Sequence, residues 1–150
     1  AKAISMMAAI EFGSRCVHSL SSADATPPMT SSEAVYNHMR QKLERLGHEE
    51  FWVLFLNRSN RIISAERVSQ GGMAATVVDV RILLKSALDR MSTNIILCHN
   101  HPSGILCPSV QDDTLTKKIT DAARLLDISV LDHVIVGATG YYSYRDEGKI

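Results

Sequence analysis

The sequence predicts an α/β sandwich in which helices flank a mixed β-sheet. Three observations favour this class. Short apolar runs typical of strands alternate along the chain with longer segments whose apolar residues recur at the helical period. Hydrophobic residues make up 45% and charged residues 21% of the 150 residues, which is typical of a globular domain with a real core. No internal repeat interrupts the alternation, so one layered domain is expected.

The chain divides into three regions by composition. Residues 1–18 begin with an Ala- and Met-rich run whose apolar spacing predicts a helix. Residues 19–29 are rich in Ser and Pro and lack apolar periodicity, which is typical of a linker. Residues 30–150 carry the alternation of strand and helix patterns and are therefore expected to form the domain.

The first helix of the domain is expected to begin after Thr30 or Ser31 and to end at Gly47. Either hydroxyl suits an N-cap, and Thr30 with Glu33 has the spacing of a capping box. Glycine commonly follows the end of a helix. The expected apolar stripe comprises Val35, Met39, Leu43 and Leu46.

Two strands and a second helix follow. Residues 51–57 form a nearly continuous apolar run, which favours a strand buried on both faces. Residues 61–70 alternate more and predict a half-exposed strand. Residues 79–91 predict a helix with Asp79 as its cap. The inward residues of this helix are expected to be Val80, Leu83, Leu84, Ala87 and Leu88.

The remaining elements repeat the alternation. Residues 93–99 form a short apolar strand pattern that runs directly into a polar stretch. Residues 110–126 have helical apolar spacing, and residues 130–137 and 141–145 predict two more strands. The apolar residues of this third helix are Leu115, Ile119, Ala122, Ala123 and Leu126.

Charge and cysteine content limit the function classes. Sixteen basic and sixteen acidic residues cancel, which argues against a broad nucleic-acid-binding surface. The sequence has no apolar run of membrane-spanning length and no basic-then-apolar leader, so no membrane partner is expected. Three cysteines are an odd number in a chain without such a leader. They predict reduced thiols in a cytoplasmic protein.

The candidate site residues concentrate in residues 98–113, CHNHPSGILCPSVQDD. His99 and His101 stand two positions apart at the end of a predicted strand, so both imidazoles project to one side. Ser109 is placed to cap the next helix, with Asp112 in its first turn. Two imidazoles and one carboxylate, with a fourth position for water, are the ligand set of an open catalytic zinc site. The alternative is a Ser-x-x-Asp capping box without a metal.

A hydrolase of this type also needs a general base. Glu49 and Glu50 directly precede the most apolar strand, and a carboxylate beside a hydrophobic wall has a raised pKa that suits proton transfer near neutral pH. The alternative is a solvated pair of charges at the entry to the strand.

The order of these residues resembles the JAMM (MPN+) metallopeptidase motif. A glutamate precedes an apolar strand, and His-x-His is followed by seven residues and Ser-x-x-Asp. The segments EEFWVLFLN, HNHPSG, VLDHVIVG and YYSYRDEG resemble the bacterial RadC branch of this group. The likeness is dense from Glu49 onward and looser before it.

The resemblance implies a JAB/MPN fold, related to the cytidine-deaminase-like α/β sandwiches. It implies Glu49 as the general base, with Glu50 as the fallback, and Ser109 as a donor to the oxyanion of a tetrahedral intermediate. The implied cofactor is Zn²⁺, with water as its fourth ligand. The implied zinc ligands are His99, His101 and Asp112.

The resemblance also implies an activity and partners. JAMM-type enzymes hydrolyse amide bonds, so the expected reaction is zinc-dependent cleavage of a peptide or isopeptide bond in a protein or peptide substrate. RadC proteins usually carry a helix-hairpin-helix module before this domain. Residues 1–18 resemble the last helix of that module, and DNA is an expected partner through the part that precedes them.

Other function classes remain open on the sequence. One is a binding module associated with DNA repair or replication, whose metal is structural or vestigial; another is a metal-dependent nuclease. A fourth protein ligand such as Cys107 would indicate a structural site, although a small apolar filler is the more ordinary role of this residue. Cys98 is expected to face the core. His133 is expected to be a satisfied core histidine, with a bond to a metal ligand as the lesser alternative.

Overall fold

A computed structural model describes residues 27–71 and 78–150. The helix expected over residues 1–18 and most of the linker expected over residues 19–29 lie outside the described residues. The elements in chain order are α1 (Ser32–Leu43), β1 (Glu50–Leu56), β2 (Ile62–Gln70), α2 (Val80–Asp89), β3 (Asn94–Asn100), α3 (Val110–Arg124), β4 (Ser129–Val136) and β5 (Tyr141–Ser143).

The strands form one mixed sheet in the order β2-β1-β3-β4-β5. β1 pairs antiparallel with both β2 and β3, β3 pairs parallel with β4, and β5 returns antiparallel to β4. The parallel pair requires a crossover, and α3 supplies it. The α/β sandwich with a mixed sheet is therefore confirmed.

The two faces of the sheet bury separate cores. On one face, α2 and α3 cover alternate strand residues such as Phe51, Val53 and Leu97. On the other face, α1 covers the intervening residues, including Leu54 and Cys98. Because successive strand residues point to opposite faces and both faces are covered, β1 and β3 are buried at nearly every position. The prediction that residues 51–57 form a strand buried on both faces is thus confirmed for β1.

Helix starts agree with local capping chemistry. The Asp79 carboxylate accepts from the Arg81 backbone N–H, so the predicted cap of α2 is confirmed. Of the two alternatives for α1, Ser31 is the N-cap, and its hydroxyl accepts from the Ala34 backbone N–H. The capping box expected from Thr30 with Glu33 is therefore wrong.

Helix ends differ from the sequence expectations. α1 ends at Leu43, before Gly47, because Glu44 closes the helix and the Leu46 N–H bonds back to the Leu43 carbonyl. The expected inward position of Leu88 is wrong, since this side chain is 48% exposed. Ala87 already completes the buried arc of α2, and Leu126 lies beyond the end of α3.

Within residues 27–71 and 78–150, no helix combines the length and apolar character needed to cross a bilayer.

Candidate metal centre

The two histidines lie at the C-terminal end of β3, the central strand of the sheet. His99 lies opposite Phe51 of β1 and is fully buried on the face covered by α2 and α3. His101 follows just after the strand ends and remains partly accessible. The two Nε2 atoms lie 2.9 Å apart, so the i, i+2 spacing does place both imidazoles on one side.

A tight turn then returns the chain toward the histidines. The Gly104 N–H bonds to the His101 carbonyl at 2.9 Å, and Gly104 has φ +74, a left-handed conformation that favours glycine. Inside this turn, His101 Nδ1 lies 2.6 Å from the Ile105 carbonyl oxygen. A carbonyl only accepts, so His101 Nδ1 is the donor, and in the neutral ring Nε2 carries the lone pair that a metal ion can bind.

Asp112 completes a capping box with Ser109 and also lies beside the two histidines. Asp112 Oδ2 accepts from the Ser109 backbone N–H and from its hydroxyl, each at 2.7 Å, which completes a capping box for α3. The same carboxylate lies 3.3 Å from Nε2 of His99 through Oδ1 and 3.3 Å from Nε2 of His101 through Oδ2. The capping box therefore holds the carboxylate in place beside the imidazoles.

The donor set suits a cation. Ligand atoms of His99, His101 and Asp112 all lie within 4.8 Å of one another. Nδ1 of His99 is engaged by His133 Nε2 at 2.8 Å, which leaves the other ring nitrogen of His99 for the cluster. Two imidazole nitrogens and a carboxylate facing one point are the ligand chemistry of zinc and of other divalent transition metals.

The pKa shifts of Asp112 and His101 agree with a site for a metal ion. Burial raises the pKa of Asp112, but the neighbouring imidazoles of His101 and His99 and the hydrogen bond from Ser109 outweigh it and hold that pKa well below the usual carboxyl range. The hydrogen bond to Asp112 raises the pKa of His101. The metal-free cluster thus favours a proton between imidazole and carboxylate, and a metal ion that binds here displaces it.

The two adjacent glutamates lie on opposite faces of the sheet. Glu49 lines a cleft of about 460 Å³ together with His101, Ser109 and Asp112. Glu50 is 5% exposed and bonds to Trp52 Nε1 at 2.8 Å, on the face covered by α1. The solvated pair considered from the sequence is therefore wrong for Glu50.

The buried Glu50 carboxylate is the shared acceptor of a polar network whose donors are only partly buried. It bonds to Arg67 Nη1 at 2.8 Å and to His48 Nε2 at 3.0 Å as well as to Trp52. Burial raises the pKa of Glu50, but the hydrogen bonds from Trp52, His48 and Arg67 together outweigh it and lower the pKa. Glu50 is thus held ionised on the face away from the histidines, which disfavours it as the fallback base.

Glu50→Gln is expected to reduce the free energy of unfolding at neutral pH by about 1–3 kcal/mol, because Trp52, Arg67 and His48 lose the charged acceptor that they share. The folded-state pKa of Glu50 is lowered, so its contribution is complete above the unfolded-state pKa and is lost as the pH falls through the folded-state pKa. Urea titrations from about pH 7 to about pH 3 check this. The wild-type chain should lose stability more steeply in acid than the variant, and parallel profiles would contradict the assignment.

Ser109→Ala is expected to cost about 0.5–2 kcal/mol of stability through the lost N-cap, and to weaken zinc binding about 10- to 100-fold because Asp112 is no longer held. Ser31→Ala is a matched control, since it removes the N-cap of α1 on the other side of the sheet. It should cost similar stability and leave zinc affinity unchanged. Urea unfolding and chelator competition measure the two effects. Equal zinc affinity in both variants would show that the Ser109 hydroxyl does not position the carboxylate.

Several residues near the cluster were missed or underrated by sequence reasoning. Asn100, between the two histidines, accepts from the Glu50 backbone N–H and donates to the His48 carbonyl, both at 2.9 Å, which ties the glutamate segment to β3. His133 is a buried core histidine as expected, and it also bonds to His99, the alternative rated lower. The position of His133 within the apolar β4 segment indicated that its side chain is buried. Nothing in the sequence indicated the register between β4 and β3 that brings it to His99.

The two described cysteines are free thiols. Cys98 faces the α1 core as expected, and burial raises its pKa. Cys107 is exposed at the cleft, so the expected role of apolar filler is wrong. The metal-ligand cluster found among the described residues does not include Cys107.

An α/β sandwich that brings a strand-end His-x-His pair against the first-turn aspartate of the next helix has the arrangement of a JAB/MPN-type domain. The chain belongs to the RadC family, because the family model described as "RadC-like JAB domain" matches residues 29–149.

Curated relatives agree with this family. A UPF0758 protein of Flavobacterium johnsoniae is 48% identical over 148 residues, which cover 99% of this chain and 64% of the relative. A UPF0758 protein of Porphyromonas gingivalis is 42% identical over 151 residues, which cover 100% of this chain and 66% of the relative. The chain thus spans slightly less than two thirds of these relatives, and their printed names state no activity.

Proposed function

We propose that this chain is a zinc-dependent hydrolase of the JAMM type that cleaves a peptide or isopeptide bond. The observation that carries the proposal is the convergence of His99, His101 and Asp112 at a cleft that Glu49 also lines. Three protein ligands leave one position of a tetrahedral ion open, as in catalytic rather than structural zinc sites. A base on the same side of the sheet completes the minimum set for hydrolysis.

Zinc bound here would supply a Lewis acid that lowers the pKa of water and polarises the scissile carbonyl. Glu49 is the proposed proton carrier. It accepts a proton as the water oxygen bonds to the carbonyl carbon, and it returns that proton to the amine nitrogen as the C–N bond breaks. The products are a carboxylic acid and an amine, which near neutral pH become a carboxylate and an ammonium ion.

Ser109 has a restricted role in this scheme. Its single hydroxyl proton donates to Asp112 Oδ2, and its oxygen accepts from the Asp112 backbone N–H. Donation to an oxyanion requires the hydroxyl to turn from Asp112 toward the substrate. We therefore propose that Ser109 holds the Asp112 carboxylate in the resting protein and shares its proton with the substrate oxygen only as charge develops there.

The cleft suits a chain-like substrate with an apolar contact. Its lining combines the polar cluster with apolar side chains of Phe51, Leu115 and the 60% exposed Ile105. A larger cleft of about 800 Å³ lies along α3 and the final residues, but neither the histidines nor Glu49 line it. The chemistry of the donors, rather than cleft volume, favours the smaller one as the site.

A structural metal site is the rival hypothesis, and it requires a fourth protein ligand. In the part of the chain that the structure describes, the cluster comprises His99, His101 and Asp112, without Cys107. This supports the hydrolase over the binding module. The nuclease alternative gains no support from the charge, because the chain is neutral overall.

The proposal is tested by incubating the zinc-loaded chain with a library of linear and lysine-branched peptides. Mass spectrometry then detects new amino termini or released branches. The expected result is cleavage that a chelator abolishes and that added zinc restores. Zinc-loaded protein that cleaves neither class of bond would contradict the proposed activity.

A further inference from the structure

A series of buried hydrogen bonds, called the relay below, lies behind the candidate metal centre. His99 Nδ1 lies 2.8 Å from His133 Nε2, and His133 Nδ1 lies 2.6 Å from Thr116 Oγ1. Thr116 Oγ1 in turn lies 2.6 Å from the backbone carbonyl oxygen of Asp112, one turn earlier in α3. The relay thus starts at the backbone carbonyl of Asp112, one candidate ligand, and ends on the imidazole ring of His99, another.

The direction of each bond follows from the carbonyl at one end. The Asp112 carbonyl oxygen only accepts, so the Thr116 hydroxyl donates its one proton to it. The Thr116 oxygen then has only lone pairs to offer to His133. The contact between Thr116 and His133 therefore requires a proton on His133 Nδ1.

His133 transmits this direction to His99. Its side chain is fully buried, stacks on the ring of Tyr144 with centroids 4.8 Å apart, and contacts Phe51 on another side. The carboxylate of its neighbour Asp132 accepts from the His133 backbone N–H rather than from its ring. Burial in these surroundings disfavours a charged imidazole, so His133 carries one ring proton, on Nδ1. Its Nε2 accepts.

The hydrogen bond with His133 determines which ring nitrogen of His99 is protonated. Since His133 Nε2 accepts, His99 Nδ1 carries the proton of their shared bond. The remaining ring nitrogen, Nε2, is the atom that faces His101 and Asp112. A neutral His99 consequently presents a lone pair to the cluster, which is the form that binds a metal ion.

We infer that Thr116 and His133 are positioning residues that set the tautomer of His99 and keep its Nε2 available as a metal ligand. This inference rests on the proposed function in that it takes the cluster as a metal centre. It adds that α3 contributes to the metal centre in two ways. The Asp112 carboxylate is a candidate ligand, and the Asp112 carbonyl sets the direction of the hydrogen bonds in the relay. Partners of ligand histidines of this kind affect metal affinity about 10- to 100-fold.

The direct test is the protonation pattern of the histidine rings in the metal-free protein, read from long-range ¹H–¹⁵N NMR spectra. The expected pattern has His133 protonated on Nδ1 and unprotonated on Nε2, with His99 protonated on Nδ1. A wild-type His133 protonated on Nε2 would overturn the inference, and this reading needs no variant and no metal.

Variants of Thr116 add a second readout. Thr116→Val removes the hydroxyl with little change of shape, so His133 should shift its proton to Nε2 and zinc affinity should fall about 10- to 100-fold by chelator competition. Thr116→Ser keeps the hydroxyl and should restore both properties. Thr120→Val is a matched control one turn later in α3, because the buried Thr120 Oγ1 has no hydrogen-bond partner among residues 27–71 and 78–150. It should change neither property.

The outcomes separate this inference from the proposed function. An unchanged His133 tautomer in Thr116→Val, or zinc affinity that follows only the loss of stability in all three variants, would overturn the positioning role. Wild-type protein that binds no zinc would contradict the proposed metal centre. The tautomers of the metal-free wild-type protein would still decide whether the relay exists.

Discussion

Asp112→Asn is expected to reduce the zinc affinity of the chain by more than about 100-fold. Partners that only orient a ligand are worth about 10- to 100-fold, so the loss of a charged ligand exceeds that range. Asparagine is nearly isosteric and its side-chain oxygen can still accept from the Ser109 backbone N–H, so the N-terminus of α3 should remain capped. The effect therefore reports on the ligand rather than on the helix.

Asp113→Asn is the matched control for this change. Asp113 occupies the next position of α3, and its carboxylate bonds to Tyr144 and Lys149 instead of to the histidines. Calorimetric titration with zinc should show wild-type affinity for this variant and almost none for Asp112→Asn. Wild-type affinity in Asp112→Asn, with the fold retained, would exclude this carboxylate as a ligand.

Glu49→Gln is expected to leave zinc bound and to reduce turnover by about 100- to 10,000-fold. Glutamine has nearly the same shape but cannot accept the proton of the attacking water, and general base catalysis is typically worth this much. Glu49 lines the cleft and is not a member of the ligand cluster, so its replacement should not release the metal. Single-turnover rates on the cleaved library peptides, with zinc content measured in parallel, check both statements.

Glu50→Gln controls for a general effect of a lost carboxylate at the start of β1. Glu50 faces the α1 side of the sheet, where it bonds to Trp52 and Arg67. This variant should lose stability but keep turnover within a few-fold of wild type. A large loss of turnover in Glu50→Gln with normal turnover in Glu49→Gln would reverse the assignment of the base.

Local chemistry explains what could be predicted of the fold. The strand at 51–57 is a nearly continuous apolar run and the helix from residue 110 has apolar residues at the helical period. The caps Asp79 and Ser109 act through backbone groups only a few residues away. Helix ends depend on longer-range packing and turn geometry. This is why the end of α1 and the exposure of Leu88 differ from the sequence expectations.

The same distinction applies to the site. The three candidate ligands lie within 14 residues of one another, so strand alternation and helix capping were enough to bring them together in the prediction. The relay through His133 and Thr116 depends on the parallel register of β3 with β4, which pairs Leu97 with His133. Spacing within one segment does not carry that register.

The choice of Glu49 over Glu50 as the general base could be predicted only in part from the sequence. Strand alternation predicts that the two side chains face opposite sides, but the side that meets the histidines follows from the pairing of Phe51 with His99. Once this register is known, Glu49 shares the face of His99 and Glu50 shares the face of Trp52 and the α1 core.

The most direct test of the metal centre is an anomalous-difference map from crystals of the zinc-loaded chain, recorded at the zinc absorption edge. We expect one peak about 2.0–2.2 Å from Nε2 of His99, Nε2 of His101 and a carboxylate oxygen of Asp112. A zinc peak that contacts other residues, or a site closed by a fourth protein ligand such as Cys107, would contradict it.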